Sequence, residues 1–193
     1  MDLVIASKNP GKIKEMRGVL DLPGLQLLTF EDLGDWREPE ETGSTFKQNA
    51  VIKATELSEM FGRASLADDS GLVVDALGGQ PGIHSSRYAG PEGDADRNIA
   101  RLLAEMEGIP LEQRTARFVC VAALVIPGGG VEITQGECEG LILEKRQGTG
   151  GFGYDPVFQP EGFARSMAEL SLEEKNAISH RGKALSAMRQ LLE

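Results

Sequence analysis

Two neighbouring carboxylates are the strongest candidates for chemistry in this sequence. Asp68 and Asp69 are adjacent, follow a short apolar run and precede Ser70. Hard cations such as Mg²⁺ prefer carboxylate oxygens, and the end of a strand fixes such a side chain while leaving coordination positions for water. The pair is therefore a candidate metal site, and an Asp-rich turn that closes a strand pair before Leu72 is the alternative that the residues alone leave open.

A second acidic stretch, residues 38–43, contains Glu38, Glu40 and Glu41. A run of acids is usually a solvated loop. If the fold brings this acidic segment to Asp69, two carboxylates from separate parts of the chain could hold one Mg²⁺, and substrate phosphates would complete its shell.

An N-terminal loop (residues 7–12) lies between an apolar run and an amphipathic stretch, which predicts a strand, a loop and a helix. Its residues are Ser7, Lys8, Asn9, Pro10, Gly11 and Lys12. Asn9 can cap the helix and Pro10 suits its first position. Such a helix start presents free N–H groups to an anion, and two lysines reinforce it. A capped helix with surface lysines is the alternative, and the spacing differs from a Walker A motif.

A glycine-rich loop (residues 148–156) formally contains G-x-G-x-x-G. A dinucleotide-binding site is excluded by its context, because Asp155-Pro156 and a strand-like pair follow where a helix should open. Phe152 and Tyr154 could offer flat faces to a nucleotide base, with Gly153 allowing close approach of the backbone. A tight turn with two buried aromatic rings is the alternative.

A basic group occurs near the C-terminus at Lys175, His180 and Arg181. A point charge, a switchable donor and a bidentate fork together suit a base carbonyl or phosphate oxygens. The alternative is a polar helix start. The other histidine, His84, fits a structural role better, and no Ser/His/Asp triad can be assembled.

The remaining pattern predicts an α/β fold with a mixed sheet, in a single domain covering residues 1–193. Helices are expected from Ser44 or Thr45 to Gly62, before Gly108, after the capping box at Ser171, and after Ser179. Strands are expected at residues 3–6, 65–67, 72–77, 117–126 and 131–143, with a hairpin turn at residues 127–130.

The composition excludes several classes of protein. The chain has 193 residues and a net charge of −10, which disfavours broad adhesion to nucleic acid or anionic membranes. No apolar stretch is long enough for a membrane helix, and the first residues lack the features of a signal peptide, so we expect a cytoplasmic protein. Cys120 and Cys138 lack metal-ligand spacing and are expected to be buried thiols.

Six motifs, taken in order, resemble the inosine triphosphate pyrophosphatase-like family, the XTP/dITP diphosphatases. They cover nearly the whole chain and are the N-terminal loop, Glu40-Glu41-Thr42-Gly43, Ala67-Asp68-Asp69-Ser70-Gly71-Leu72, Leu77-Gly78-Gly79-Gln80-Pro81-Gly82, Gly151-Phe152-Gly153-Tyr154-Asp155-Pro156 and Ser179-His180-Arg181. The resemblance implies an elongated α/β fold with an active-site cleft between two lobes, a homodimer, and Mg²⁺-dependent hydrolysis of ITP, dITP or XTP to the monophosphate and pyrophosphate.

The resemblance also implies roles for individual residues. Asp69 would be the catalytic base and, with Glu40, a metal ligand, although the motif leaves open whether Glu40 or Glu41 binds the metal. Substrate would be bound by the N-terminal loop and by Ser70, Phe152, Gly153, Tyr154, Asp155, Lys175, His180 and Arg181. This sequence departs from common family members at Ser7-Lys8 and at His84.

Base choice would depend on the purine edge. Hypoxanthine and xanthine carry a 6-oxo acceptor where adenine carries an amino donor, so a donor from His180 or Arg181 would be left unpaired by adenine. The alternatives are a pyrophosphatase for modified pyrimidine or methylated nucleotides, which a substrate panel would separate, and a non-catalytic nucleotide sensor or RNA-binding module. The negative charge argues against RNA, and Asp68-Asp69 argues against a sensor.

Overall fold

The computed structural model describes residues 1–193 and contains six strands and six α-helices. The strands are β1 (Asp2–Ile5), β2 (Gln26–Leu28), β3 (Ala64–Val74), β4 (Thr115–Val125), β5 (Val131–Ile142) and β6 (Phe158–Pro160). The helices are α1 (Pro10–Val19), α2 (Phe30–Leu33), α3 (Phe46–Phe61), α4 (Ala95–Glu105), α5 (Leu172–Ile178) and α6 (His180–Leu192). None of the helices combines the length and the apolar composition that a membrane span requires.

All six strands belong to one mixed sheet with the order β2-β1-β3-β4-β5-β6. β1 is parallel to both of its neighbours, with Leu3 opposite Ala64 and Ile5 opposite Leu66 in β3, whereas β5 and β6 are antiparallel. β4 and β5 are connected by a tight turn in which the Gly129 amide donates to the Ile126 carbonyl at 2.8 Å. The predicted α/β class and mixed sheet are confirmed.

Local signals in the sequence define the helix ends. The Asn9 side chain caps α1 by accepting from the Gly11 and Lys12 amides, as predicted. Thr45 caps α3, and Gly62 ends it in the left-handed conformation that a glycine adopts without steric cost. Ser171 and Glu174 form the predicted capping box of α5.

The strand around the two aspartates differs from the prediction. Instead of two short strands separated by a turn, β3 runs without interruption from Ala64 to Val74. Asp68 and Asp69 are therefore in the middle of a strand, at 1% and 5% exposure. The strand continues because both carboxylates have cationic partners inside the protein. These partners offset the free-energy cost of burying a charge, which normally favours an exposed turn for adjacent aspartates.

The contacts of the chain group into two compact units. The first contains Met1–Asp69, Cys120–Gly136 and His180–Glu193, and the second contains Ser70–Val119 and Glu137–Ser179. The first unit has two apolar clusters, one around Leu66 on one face of the sheet and one around Ala67 on the other. The second unit has a cluster around Leu72 and Phe158. Cys120 and Cys138 are buried free thiols, as predicted.

Candidate active site

The N-terminal loop follows β1 directly and lies beside β3, because the two strands are parallel. The Ala6 amide donates to the Leu66 carbonyl at 2.9 Å, two residues before Asp68. Inside the loop the Gly11 and Lys12 amides donate to Asn9 Oδ1, and the Asn9 amide donates to Ser7 Oγ at 3.2 Å. The Asn9, Gly11 and Lys12 amides therefore have acceptors within the loop, and its two lysine side chains are the charged groups that it offers an anion.

Lys8 contacts Asp35, Trp36 and Glu38. Its ammonium forms an ion pair with Asp35 and lies 5.6 Å from the centre of the Trp36 ring. Its amide donates to Glu38 Oε1 at 3.2 Å. Trp36 is 7% exposed and is wedged edge-on between Phe30 and Phe61. The Trp36 ring therefore provides an apolar surface beside Lys8. Asp35 and Glu38 bind the Lys8 ammonium and amide, which are the donors that an anion would use.

Asp68 and Asp69 point to opposite faces of the sheet because successive side chains of a strand alternate. Asp68 shares the face of Leu66 and meets two cations. Its Oδ2 lies 3.1 Å from Lys12 Nζ and accepts from Arg181 Nε and Nη2 at 3.1 and 3.0 Å. The thiol of Cys120 is 3.9 Å from the same oxygen. Asp68 therefore connects the first turn of α1 with the first turn of α6.

Arg181 is almost completely buried, at 2% exposure. Its Nη1 donates to Glu15, a buried carboxylate on α1, while its other nitrogens face Asp68. Burial disfavours the charge of Arg181, but the carboxylates of Asp68 and Glu15 outweigh burial and raise its pKa. The structure thus gives this guanidinium two carboxylate partners within the first unit.

Asp69 shares the face of Ala67 and meets α3. Asn49 Nδ2 donates to its Oδ2 at 3.1 Å, and Lys53 Nζ lies 3.3 Å from its Oδ1. Burial raises the pKa of Asp69 above its ordinary value, Lys53 and Lys12 lower it in part, and Glu41 raises it. Burial also opposes the charge of Lys53, but the nearby carboxylates outweigh it and raise the Lys53 pKa. Asp69 is thus a desolvated carboxylate in contact with Lys53 and in the field of Lys12, an environment suited to proton transfer.

The two glutamates of the acidic segment are in different environments. The Glu40 side chain is 71% exposed and pairs with Arg37. The Glu41 side chain is 22% exposed, and its Oε1 is 2.9 Å from the same Lys53 Nζ that contacts Asp69. Of the two carboxylates that the motif left open, the structure brings Glu41 to Asp69 and leaves Glu40 at the surface.

The second unit contains the glycine-rich loop and α5. Lys175 Nζ binds Asp155 Oδ2 at 2.5 Å and lies 4.6 Å from the centre of the Phe152 ring. The Phe152 amide donates to the same Asp155 oxygen at 2.8 Å. A Cβ at Gly151 would lie 2.1 Å from that oxygen, so glycine is required there. The predicted grouping of Phe152, Asp155 and Lys175 is thus present.

The other predicted residues have varied environments. Tyr154 is buried and its hydroxyl donates to the Ser85 carbonyl at 2.8 Å, so this ring is part of the core. Gly153 has φ +59°, and a Cβ there would meet open space. Ser70 follows Asp69 in β3 and is partly exposed. His180 is 4% exposed and begins α6, with its carbonyl against Gly136.

Sequence reasoning missed three polar residues that hold the site. Asn49 and Lys53 are one turn apart on α3, and Glu15 precedes Met16 on α1; all three are buried. The sequence signal that could have identified Asn49 and Lys53 is a polar residue on a helix face otherwise occupied by apolar side chains. Asn49 and Lys53 lie beside Ala50, Ala54 and Leu57, which form the inner face of α3. A buried lysine requires a carboxylate partner, and that requirement points to Asp69.

Comparisons with known proteins identify the family of this chain. A family model described as the Ham1 family matches residues 3–191. The chain belongs to the Ham1 family. A Ham1 relative from Geobacillus kaustophilus named dITP/XTP pyrophosphatase is 51% identical over 97% of this chain and 92% of its own length. One of the same name from Geobacter sulfurreducens is 49% identical, covering 98% of this chain and 96% of the relative.

A solved Ham1 structure from Coxiella burnetii has 40% sequence identity and a TM-score of 0.89, covering 100% of this chain and 98% of that one. Membership of the Ham1 family confirms the resemblance inferred from the motifs. It also agrees with the six-stranded mixed sheet described above.

The donor set at Asp69 fits a magnesium ion. Asp69 and Glu41 supply carboxylate oxygens, and both lie within 3.3 Å of one cationic nitrogen, Lys53 Nζ. This spacing shows that the two carboxylates can share a single positive centre. The structure contains no cluster of three or more His, Cys, Asp or Glu side chains. Such a sparse oxygen site suits Mg²⁺, which keeps several waters and takes further ligands from substrate phosphates.

Proposed function

We propose that this protein hydrolyses the noncanonical purine nucleotides dITP, XTP and ITP to the nucleoside monophosphate and pyrophosphate. The observation that carries the proposal is the buried Asp69 carboxylate, held by Asn49 and Lys53 and influenced by Lys12 of the N-terminal loop. Relatives that carry the name dITP/XTP pyrophosphatase, at 51% and 49% identity, support the substrate class.

The N-terminal loop is proposed to hold the phosphates through its lysines. Lys8 and Lys12 are partly accessible, with side-chain exposures of 28% and 18%. The positive end of the α1 dipole adds to their field. Charge grows on the pyrophosphate leaving group during hydrolysis, so ammonium groups placed in advance stabilise the transition state more than the ground state.

Asp69 is proposed to take the proton of the attacking water, which requires no covalent nucleophile. Its raised pKa makes it a stronger base than an exposed aspartate. Asp69 and Glu41 would hold Mg²⁺, which when bound would neutralise phosphate charge and lower the pKa of a water. Lys53 and Asn49 orient the Asp69 carboxylate through contacts at 3.3 and 3.1 Å.

The remaining assignments rest on the family resemblance. Ser70, residues 152–155, Lys175, His180 and Arg181 are proposed to bind substrate, with His180 or Arg181 favouring a 6-oxo purine over adenine. Arg181 also keeps Asp68 beside Lys12, which supports the phosphate-binding loop. A homodimer and a cytoplasmic location complete the proposal.

Release of pyrophosphate from dITP, XTP, ITP, GTP and ATP, with and without Mg²⁺, tests this function. The proposal expects magnesium-dependent release that is fastest for dITP, XTP and ITP. Asp69→Asn is nearly isosteric, so it should leave the melting temperature close to that of the parent while lowering kcat by about 10³-fold or more. Normal turnover by a folded Asp69→Asn protein would contradict the assigned role, and selective hydrolysis of modified pyrimidine nucleotides would contradict the substrate class.

A further inference from the structure

A polar cavity lies in the second unit, and none of the residues assigned above lines it. Its volume is about 350 Å³, and its wall is formed by Gln80, Pro81, His84, Arg87, Tyr88 and Arg101. His84 and Arg87 are one turn apart on a 3₁₀ helix, Gly82–Arg87, and Arg101 projects from α4. Two stretches of chain, residues 80–88 and α4, thus supply the polar groups around one small space.

The wall of this cavity offers hydrogen-bond donors and no carboxylate. Arg87 and Arg101 carry guanidinium groups, and Gln80 and His84 add an amide and an imidazole. The whole chain has a net charge of −10, whereas no acidic residue lines this cavity. A space lined by donors selects an anion and disfavours a cation.

Arg101 is held in place before any ligand arrives. Its Nε donates to Glu105 Oε1 at 2.7 Å, its Nη1 donates to the Tyr88 carbonyl, and its guanidinium carbon is 4.1 Å from the centre of the Tyr88 ring. The remaining nitrogen, Nη2, makes no hydrogen bond within the protein. A fixed guanidinium with a remaining donor loses little side-chain entropy when it binds an oxyanion.

Glu105 does not compete for this donor. One of its oxygens accepts from Arg101 Nε and the other accepts from the Tyr88 hydroxyl. These two hydrogen bonds hold the pKa of Glu105 below its ordinary value. The Glu105 carboxylate therefore holds Arg101 and Tyr88 in position, and it is not part of the cavity wall.

We propose that this cavity is a binding site for a small phosphate-bearing anion, separate from the catalytic residues. Its volume is at the lower end of the range for ligand pockets, which suits inorganic phosphate or pyrophosphate better than a whole nucleotide. Donors from residues 80–88 and from α4 can serve several oxygens of a tetrahedral anion, whereas a planar carboxylate presents two. Nη2 of Arg101 provides a charge-assisted contact of the kind that phosphate oxygens prefer.

Calorimetric titration of the full-length protein with inorganic phosphate and with pyrophosphate tests the site. Lys12→Ala serves as the background, because it removes one of the two lysines proposed to hold phosphate at the N-terminal loop. One binding event should persist in that background. Gln80→Glu, at an exposed position, should then weaken it by at least tenfold, because the new carboxylate faces the bound anion. Gln113→Glu changes the net charge equally at an exposed position outside the cavity, and it should leave the affinity within twofold.

A second pair of variants tests the role of Arg101 itself. Arg101→Gln should abolish the binding event, whereas Arg97→Gln, on the same helix but outside the cavity, should preserve it. The proposal is overturned by absence of binding in the Lys12→Ala background, by equal affinities in Gln80→Glu and Gln113→Glu, or by succinate binding as tightly as phosphate. Turnover of dITP is measured separately, so a failure of the catalytic proposal leaves this result intact.

Discussion

The side chains around Asp69 show how neighbouring residues of one type can have different environments. Glu40 and Glu41 are consecutive, yet one is exposed beside Arg37 and the other shares Lys53 with Asp69. The difference arises because the acidic segment precedes α3, whose inner face carries Lys53 toward β3. Composition alone cannot distinguish the two glutamates, because the distinction depends on a helix that neither belongs to.

A matched pair of substitutions tests this distinction. Glu41→Gln should lower kcat/KM by about 10²-fold or more and raise the magnesium concentration required for half-maximal rate. The reason is that it removes the negative charge of the carboxylate that shares Lys53 with Asp69. Glu40→Gln removes the same charge one residue earlier and should change kcat/KM by less than about threefold, as expected for an exposed ion pair. The reverse order of effects would assign the role to Glu40.

Removal of the Glu38 carboxylate should lower KM, whereas Glu41→Gln should lower kcat/KM. The Glu38 carboxylate accepts from the Lys8 amide, a donor that a phosphate oxygen would use. An exposed contact of this kind contributes about 0.3–1 kcal/mol, so Glu38→Ala, which removes the acceptor, should lower KM by roughly two- to fivefold with little change in kcat. Glu132→Ala removes another exposed carboxylate from the first unit, and it should leave KM unchanged. Equal KM values for the two variants would show that Glu38 does not compete.

The elements around the site were predictable where the signal was local. The Asn9 cap, the Thr45 and Gly62 ends of α3, and the Ser171 capping box each depend on a few consecutive residues, and the structure contains all of them. The continuity of β3 was not predictable in this way. It depends on Lys12, Lys53 and Arg181, which are distant in sequence and neutralise the aspartates only in the folded chain.

A substitution at Gly136 tests how strand β5 positions the first turn of α6. A Cβ at this position would lie 2.2 Å from the His180 carbonyl oxygen and 2.7 Å from the Ala184 amide nitrogen. Gly136→Ala should therefore displace His180 and Arg181, costing about 1–3 kcal/mol of stability and lowering kcat/KM together with the melting temperature. Gly130→Ala, in the turn where a Cβ meets open space, is the control and should match the parent. A parent-like melting temperature for Gly136→Ala would show that α6 can shift without loss.

At the scale of the whole molecule, β3 belongs to both compact units. Leu66 packs in a cluster of the first unit and Leu72 packs in the cluster of the second, and both are fully buried. Leu66→Ala and Leu72→Ala should each cost about 2–5 kcal/mol. Because one strand continues through both units, we expect each variant to unfold in a single transition at a lower denaturant midpoint, observed by circular dichroism and tryptophan fluorescence. Two separated transitions would contradict the prediction of one domain over residues 1–193.

The alternation of side chains along β3 also limits how the gene can change. Asp68 and Asp69 are joined by one peptide bond, yet the first meets Lys12 and Arg181 while the second meets Asn49 and Lys53. Loss of a single codon between Ala64 and Ala67 would shift everything after it by one place and exchange the two faces. Each aspartate would then face the wrong set of cations, and the apolar residues of the strand would be inverted with them. In-frame deletions should therefore be far less tolerated in this stretch than substitutions.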